Sequence, residues 1–486
     1  MLFKYLTIIT LTFTFSAYSQ KQNNIWCFGD STGIDFNNLI SPTPFSSSLD
    51  TRGSCVSIAD TNGQLLFYAN TVAASGVNTT KVWDRNNFPM VNGDGIIGEG
   101  WYNELLILPF PNDEKKYYLF SLGVLGPYGL YYSVIDISLN GGLGKVIQKN
   151  VQLQTYQAWD AMAAIRHANG RDWWLITKDY DNSLGNKTFH VNLVTPYGIH
   201  DSVQSIGGIE YGGLGNMSFS KDGNRFLFTS YNGLIEVMDF DRCNGQFSNP
   251  LVILNANNFP HISGSAFSPN GNLVYISTSN GNSYLVQFDL LTLSRDTIST
   301  IINPFEAGGG LRLAPNDKIY WACAWTNGIN FNYPYQDTMY HTENMNLSVI
   351  NDPDVVGTGC NFSLYSFNLG GKRTYWGLPN NPDYSLGPVA GSACDSLFNS
   401  VGQISEREFA LTIYPNPFEE RISLFTENTN NKIEISIINK LGQQVYHGLL
   451  RSNTHEINLS FLTPGAYVLI CKTSLGEIHR QIVKLK

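Results

Sequence analysis

Two sets of residues in this chain carry the potential for chemistry. The first is the block Phe28-Gly29-Asp30-Ser31, which places a serine among turn-forming neighbours. A serine becomes a nucleophile only when a base takes its proton and hydrogen-bond donors wait for the oxyanion. The second set is Arg52, Glu104, Asp160, Asn216, His261, Arg312 and Asn361, polar residues that recur at nearly even intervals along the chain. Carboxylates such as Glu104 and Asp160 could coordinate a structural cation, accept sugar hydroxyls, or act as acid and base. Residues so far apart meet only if the fold brings equivalent points of a repeat together. Other motifs are missing: there is no HExxH and no Asp-rich calcium loop, and no Walker Ser/Thr follows the lysine of "GGLGK". Seven cysteines show no CxxC spacing, and an odd count leaves at least one unpaired in a monomer.

The elements that must position these residues are short strands. Charged residues make up 14% of the chain and aromatics 13%, with 45 glycines, a mixture suited to strands joined by tight turns. Seven segments share one pattern of strand, turn and aromatic strand: "SIADTNGQLLFYAN", "ILPFPNDEKKYYLFSL", "AIRHANGRDWWLIT", "SFSKDGNRFLFTS", "AFSPNGNLVYIST", "RLAPNDKIYWACA" and "LYSFNLGGKRTYWGL". Their Asn-Gly, Asp-Gly and Gly-Gly pairs favour antiparallel hairpins. The spacing of these segments is that of a four-stranded propeller blade with its loops. The expectation is an all-β chain: a seven-bladed β-propeller over 20–380, then a small C-terminal antiparallel β-sandwich. The last repeat is short. The N-terminal strands "NIWCFGD" and "GIDFNN" are expected to complete the blade begun by "CNFSLYSFNLGGKRTYWGL" and close the ring. In a propeller the first strand of each blade lines the channel, which would place Glu104, Asp160, Asn216 and Asn361 at its mouth, with Arg52, His261 and Arg312 close by. His167 occupies a turn position filled by serine in other repeats and reads as structural.

The ends of the chain differ from its middle. Lys4 followed by an apolar run from Leu6 to Phe15 and small residues at Ala17 and Ser19 reads as a signal peptide over 1–19. No later run is long or apolar enough to read as a transmembrane segment. The net charge is −9 without a basic stripe, which argues against nucleic acid as a partner. Residues 381–408 are rich in Pro, Asn and Ser and read as a linker. From 409 the texture changes to period-two alternation, with Tyr467, Leu469 and Cys471 on one face and Val468 and Ile470 on the other. Residues 411–486 hold eight Lys/Arg and six Asp/Glu, against a clearly acidic remainder.

These stretches carry three resemblances. "FGDS" resembles the nucleophile block of GDSL esterases, which would make Ser31 catalytic. Yet the family's helices, its late Asp-x-x-His and its Gly-x-Asn-Asp block are all absent here, so Ser31 reads as a turn residue. "YPNPFEERISL", "IINKLGQQVY" and "LTPGAYVL" resemble the type A C-terminal sorting domain of the Bacteroidota type IX secretion system. That likeness rests on Tyr414, Pro415, Asn416, Pro417, Leu441, Gly442, Pro464, Gly465 and Tyr467. It implies Sec export, then handling by an outer-membrane translocon and release or attachment at the cell surface. "GSCVSIADTNGQLLFYAN" and "AAIRHANGRDWWLIT" are similar to secreted flavobacterial WD40-like or TolB-like propellers, which carry no catalytic residues across.

The expected function is a secreted or surface binding protein for a glycan or protein ligand, with no cofactor implied. The alternative is a secreted propeller hydrolase or lyase acting on glycans or lactones through Glu104 and Asp160. Deleting Leu411 to Lys486 is expected to leave the propeller folded but held in the periplasm of a type IX-competent host. Fractionation and immunoblotting would show this, and efficient appearance of the truncated chain in the medium would overturn the sorting reading.

Overall fold

Glycine-bearing turns set the first level of the architecture. Gly223 and Gly271 have φ of +76° and +72° and sit between the first and second strands of their sheets. A side chain at such an angle is strained, so the Asp-Gly and Asn-Gly pairs of the repeat fix where the chain reverses. The computed structural model describes residues 20–485, except 73–78, 99–102, 125, 181–186, 211, 257–260, 280–281, 303–305, 326–338, 396–410, 427–432, 440–442, 451–453 and 474–475. The expected signal peptide therefore lies outside the described residues. The chain separates into two compact units, 1–397 and 398–486.

The first unit is a seven-bladed propeller. Blade 1 has three strands, Ile25–Phe28, Asp30–Asp35 and Thr43–Asp50, and blade 2 has three, Cys55–Ala59, Leu65–Thr71 and Thr80–Asp84. Blades 3 to 7 each have four antiparallel strands, over 105–154, 158–205, 215–254, 262–301 and 306–368. From blade 2 onward, the first strands of most successive blades lie against one another and line the channel. The blades pack through their flat faces. Between blades 4 and 5, Phe189 meets Phe226 and Phe228 edge-on, at 5.8 and 5.7 Å. Lys178 lies over the Phe189 ring at 4.1 Å in this apolar layer. Burial lowers its ammonium to about 8 and raises the Glu236 carboxyl to about 7, and each charge partly rescues the other.

Closure of the ring departs from the expected arrangement in one respect. Phe362–Asn368, which reads in sequence as the start of the closing blade, is the outer strand of blade 7 and pairs with Asn346–Ile350. The Gly370-Gly371 pair, which reads as a hairpin, takes φ of +65° and +82° and turns the chain inward instead. Residues 373–382 are then buried without a break. The Arg373 carbonyl accepts from Asp30 N–H and Thr32 Oγ1, both at 2.9 Å. Beyond it, Trp376 N–H donates to the Arg52 carbonyl of blade 2 at 3.0 Å, while the Trp376 carbonyl accepts from Gly310 of blade 7. This extended segment, the strap, takes the inner position of the three-stranded blade 1. Trp26 packs edge-on to Tyr320 of blade 7 at 6.0 Å, and Ser57 of blade 2 donates to the Ile25 carbonyl at 2.7 Å.

The expected linker also begins later than 381. Asn381 and Tyr384 are buried, and residues up to Asp395 belong to the propeller unit. The side chains of Asn381 and Tyr384 face the channel rather than solvent.

The second unit is a β-sandwich. Three strands, Leu411–Tyr414, Arg421–Thr426 and Thr454–Asn458, form one sheet. Four more, Ile433–Ile438, Gln444–Leu450, Gly465–Thr473 and Gly476–Lys484, form the other. Tyr467, Leu469 and Cys471 are buried in its core with Phe418, Ile422 and Ile435, as the alternation requires.

Arg373 ties the two ends of the propeller together. Its Nε lies 2.7 Å from Asp30 Oδ2, with the arginine side chain 4% exposed and the aspartate 27%. Removing one member of a buried pair leaves the other uncompensated and costs about 3–5 kcal/mol. Arg373→Met is therefore expected to lower the stability of the propeller by about 3 kcal/mol. Urea unfolding with intrinsic tryptophan fluorescence measures this directly, and an unchanged midpoint would contradict the closure.

Candidate functional site

The N-terminal ends of the inner strands hold a buried polar cluster. Asn103 N–H donates to Asp160 Oδ1 at 3.0 Å, and Asn103 Nδ2 donates to Asn216 Oδ1 at 2.9 Å. Glu104 and Asp160 have no exposed surface. The structure thus brings Glu104, Asp160 and Asn216 to one end of the channel through Asn103, a residue with no motif to announce it. The open space at this end is only about 20 Å³, bounded by Asn103, Asn216, Trp376 and Leu378. Among the described residues no group of three His, Cys, Asp or Glu side chains gathers to hold a metal.

The remaining candidates scatter. Arg52 meets the strap through its carbonyl, and its charge opposes the burial that raises the Tyr375 hydroxyl. His261 has φ +66°, and its Nδ1 lies 2.5 Å from the Tyr231 hydroxyl at the joint of blades 5 and 6. Asn361 is exposed on the outer edge of blade 7 and donates to Asp352 Oδ2 at 3.0 Å. It is not at the channel, because the repeat that placed it there is an outer strand. Ser31 has φ +58° and its hydroxyl donates to Asp30 Oδ1 at 3.3 Å, the carboxylate that pairs with Arg373. This is a turn, with the acid already committed.

The channel is filled by the strap. Asn380 Nδ2 is shared among the carbonyls of Met162, Leu105 and Asn103, at 2.9, 3.1 and 3.4 Å. Its Oδ1 accepts from Arg312 Nη2 at 2.7 Å. One amide therefore ties blades 3, 4 and 7. Asn381 Oδ1 accepts from Ser57 N–H at 3.0 Å, and the Tyr384 hydroxyl donates to the Ile107 carbonyl at 2.9 Å. Burial lowers the Arg312 guanidinium to about 10, so it stays a cation at neutral pH.

Past Asn380 the channel widens into a cavity of about 450 Å³ at the C-terminal ends of the inner strands. Ser218, Ser265 and Arg312 line it from blades 5, 6 and 7, Asn381 and Asp383 from the strap, and Lys21 from the N-terminus. Of the residues that the sequence singles out, Arg312 lines this cavity, while Asp160 and Asn216 meet at the other end. Sequence reasoning missed the strap, whose lack of strand pattern reads as a linker.

The strap continues over blades 4 and 5. Arg242 Nη2 donates to the Gly387 carbonyl at 2.6 Å, and Val389 N–H donates to the Ala168 carbonyl. A disulfide joins Cys394 to Cys243. His167 is structural: its Nδ1 accepts from Asn169 N–H at 3.0 Å, which leaves Nε2–H to donate to the Cys243 carbonyl at 3.0 Å.

In the second unit, Asn416 Nδ2 donates to the Gln481 carbonyl at 2.8 Å, and its Oδ1 accepts from Val483 N–H at 2.9 Å. The Tyr467 hydroxyl donates to the Thr463 carbonyl at 2.7 Å. Tyr414, Pro415, Pro417, Pro464 and Gly465 are exposed around this core, while Leu441 and Gly442 lie outside the described residues.

Comparison with known proteins places the second unit. Residues 412–485 match the family described as a secretion system C-terminal sorting domain. No curated protein sequence matches the chain. Solved structures show a distant likeness over the propeller. A candidate 6-phosphogluconolactonase from Bacteroides uniformis is 13% identical with a TM-score of 0.42, covering 63% of this chain and 90% of that one. A functionally unknown protein from Desulfotomaculum acetoxidans is 13% identical with a TM-score of 0.40, covering 74% and 100%. The Cps50 (Swd1) propeller domain from Myceliophteria thermophila is 12% identical with a TM-score of 0.34, covering 62% and 93%. Likenesses this distant transfer no activity, and the seven sheets themselves define the fold.

The disulfide closes a loop across 151 residues and anchors the strap that forms one wall of the cavity. Replacing both Cys243 and Cys394 by serine is expected to cost about 2–4 kcal/mol. Reductant should lower the melting temperature of the wild type toward that of the double variant and leave the variant unmoved.

Proposed function

We propose that this type IX secretion cargo, a propeller followed by a C-terminal sorting domain, is a binding protein whose small-molecule ligand occupies the channel cavity. The sorting domain directs export by the type IX route to the cell surface or the extracellular space. Among the described residues no helix is long and apolar enough to cross a membrane. The observation that carries the binding reading is the cavity itself. Its volume of about 450 Å³ falls within the range of about 300–1,000 Å³ usual for small-molecule sites. Its walls come from the inner strands, the strap and the N-terminus, so ring closure and site formation are one event.

Binding without turnover fits the carboxylates better than hydrolysis does. An acid–base pair needs two groups within reach of the reacting atoms, at least one with a tuned proton affinity. At the cavity, Asp317 is held 2.5 Å from Lys221, and Asp383 accepts from Ser385 N–H at 2.8 Å. Glu104 and Asp160, the residues of the hydrolase alternative, are buried at the opposite end. A ligand with many hydroxyls suits a wall of serines and amides, which makes a surface or environmental glycan fragment the expected class.

Ser385 is exposed at the cavity rim. Ser385→Trp is expected to leave the fold intact and to weaken binding at least ten-fold on a glycan array, with no product seen by mass spectrometry. Turnover of a bound glycan, or undiminished binding by the folded variant, would overturn this reading.

A further inference from the structure

We propose that the channel cavity is an anion site in which the Arg312 guanidinium seats the carboxylate of a small polyhydroxylated acid. This rests on the cavity being the ligand site and names the chemistry that it selects. The first support is position. Ser218 in "SFSKDG", Ala266 in "AFSPNG" and Arg312 in "RLAPND" are equivalent residues of three successive inner strands, and all three line the cavity. Two of the blades place a small residue there; blade 7 places a cation.

The second support is charge. Among the described residues Arg312 is in no ion pair, whereas Lys221 is matched by Asp317 and Arg373 by Asp30. Its fixed contact is the neutral amide oxygen of Asn380 at 2.7 Å, which holds Nη2 and orients the rest of the fork. A guanidinium partly withdrawn from water without a counter-ion is costly, and burial does lower its affinity for the proton. A carboxylate restores the balance and matches the planar fork with two parallel hydrogen bonds. Asp383, the nearest acid of the strap, acts on Arg166 and Arg242 instead. Lys21 adds a second positive charge to the lining.

The test uses the full mature chain and four probes by titration calorimetry: D-galacturonate and D-gluconate against their neutral counterparts D-galactose and sorbitol. The acids are expected to bind at least ten-fold more tightly than the neutral compounds. Arg312→Gln, which can still donate to Asn380, should remove that preference without lowering the melting temperature, and Arg312→Lys should retain part of it. Equal binding of acids and neutral compounds, binding by neither acid, or an equal loss for both classes in Arg312→Gln would overturn the anion site. Arg312-dependent binding of inorganic phosphate with none of either acid would overturn the carboxylate. Binding that persists unchanged in Ser385→Trp would instead overturn the cavity as the ligand site.

Discussion

The structure depends on how a ring of sheets is closed. A linear chain of blades ends in two open edges, each a row of unpaired backbone groups and a bare apolar face. Here the two ends of the propeller meet: the Arg373 carbonyl accepts from Asp30 and Thr32, and the Arg373 side chain pairs with Asp30. Blade 1, built from the N-terminus, is then wedged between blade 7 and blade 2 by Trp26 against Tyr320 and by Ser57 against Ile25.

The segment beyond Arg373 converts closure into a site. An extended strand without lateral partners on both sides must satisfy its polar groups elsewhere. The strap does so against the backbones of its neighbours, Trp376 bonding Arg52 and Gly310 and Asn380 N–H the Cys55 carbonyl, while the Asn380 side chain reaches carbonyls of blades 3 and 4 and receives Arg312 from blade 7. The channel is thereby divided. One end is sealed around Asn103, Asp160 and Asn216, and the other keeps a cavity with a cation in its wall. Asp160, which looked reactive by type, is committed to the Asn103 N–H, and the arginine lies in the cavity wall.

The route of export constrains the same parts. A chain bound for the outside meets an oxidising environment in which a disulfide persists. Cys243–Cys394 uses this to hold the far end of the strap on blade 5. The five other cysteines are buried, so the oxidising compartment acts on the single pair that the fold brings together. The sorting unit has its own core of Phe418, Ile422, Leu469 and Ile482 and needs none of the propeller's side chains for it.

The sequence by itself determined whatever depends on local backbone geometry. Asp-Gly and Asn-Gly turns, period-two strands and a regular blade-length repeat encode blades directly, because turn angle and face alternation are properties of neighbouring residues. Tyr467, Leu469 and Cys471 fell on the buried face of the second unit for the same reason. The structural role of His167 was legible too, since its place in the repeat is a turn. Tertiary structure alone decided the rest. Gly370-Gly371 has the composition of a hairpin but sends the chain into the channel, and Phe362–Asn368 belongs to blade 7 rather than to a closing blade. Asn361 was misplaced with it. Asn380, Asn381 and Tyr384 resemble linker residues, because their partners Leu105, Ser57 and Ile107 lie near the other end of the chain and leave no local pattern. Which end of the channel stays open was equally invisible, for it depends on side chains from three blades and both ends of the unit meeting in one small volume.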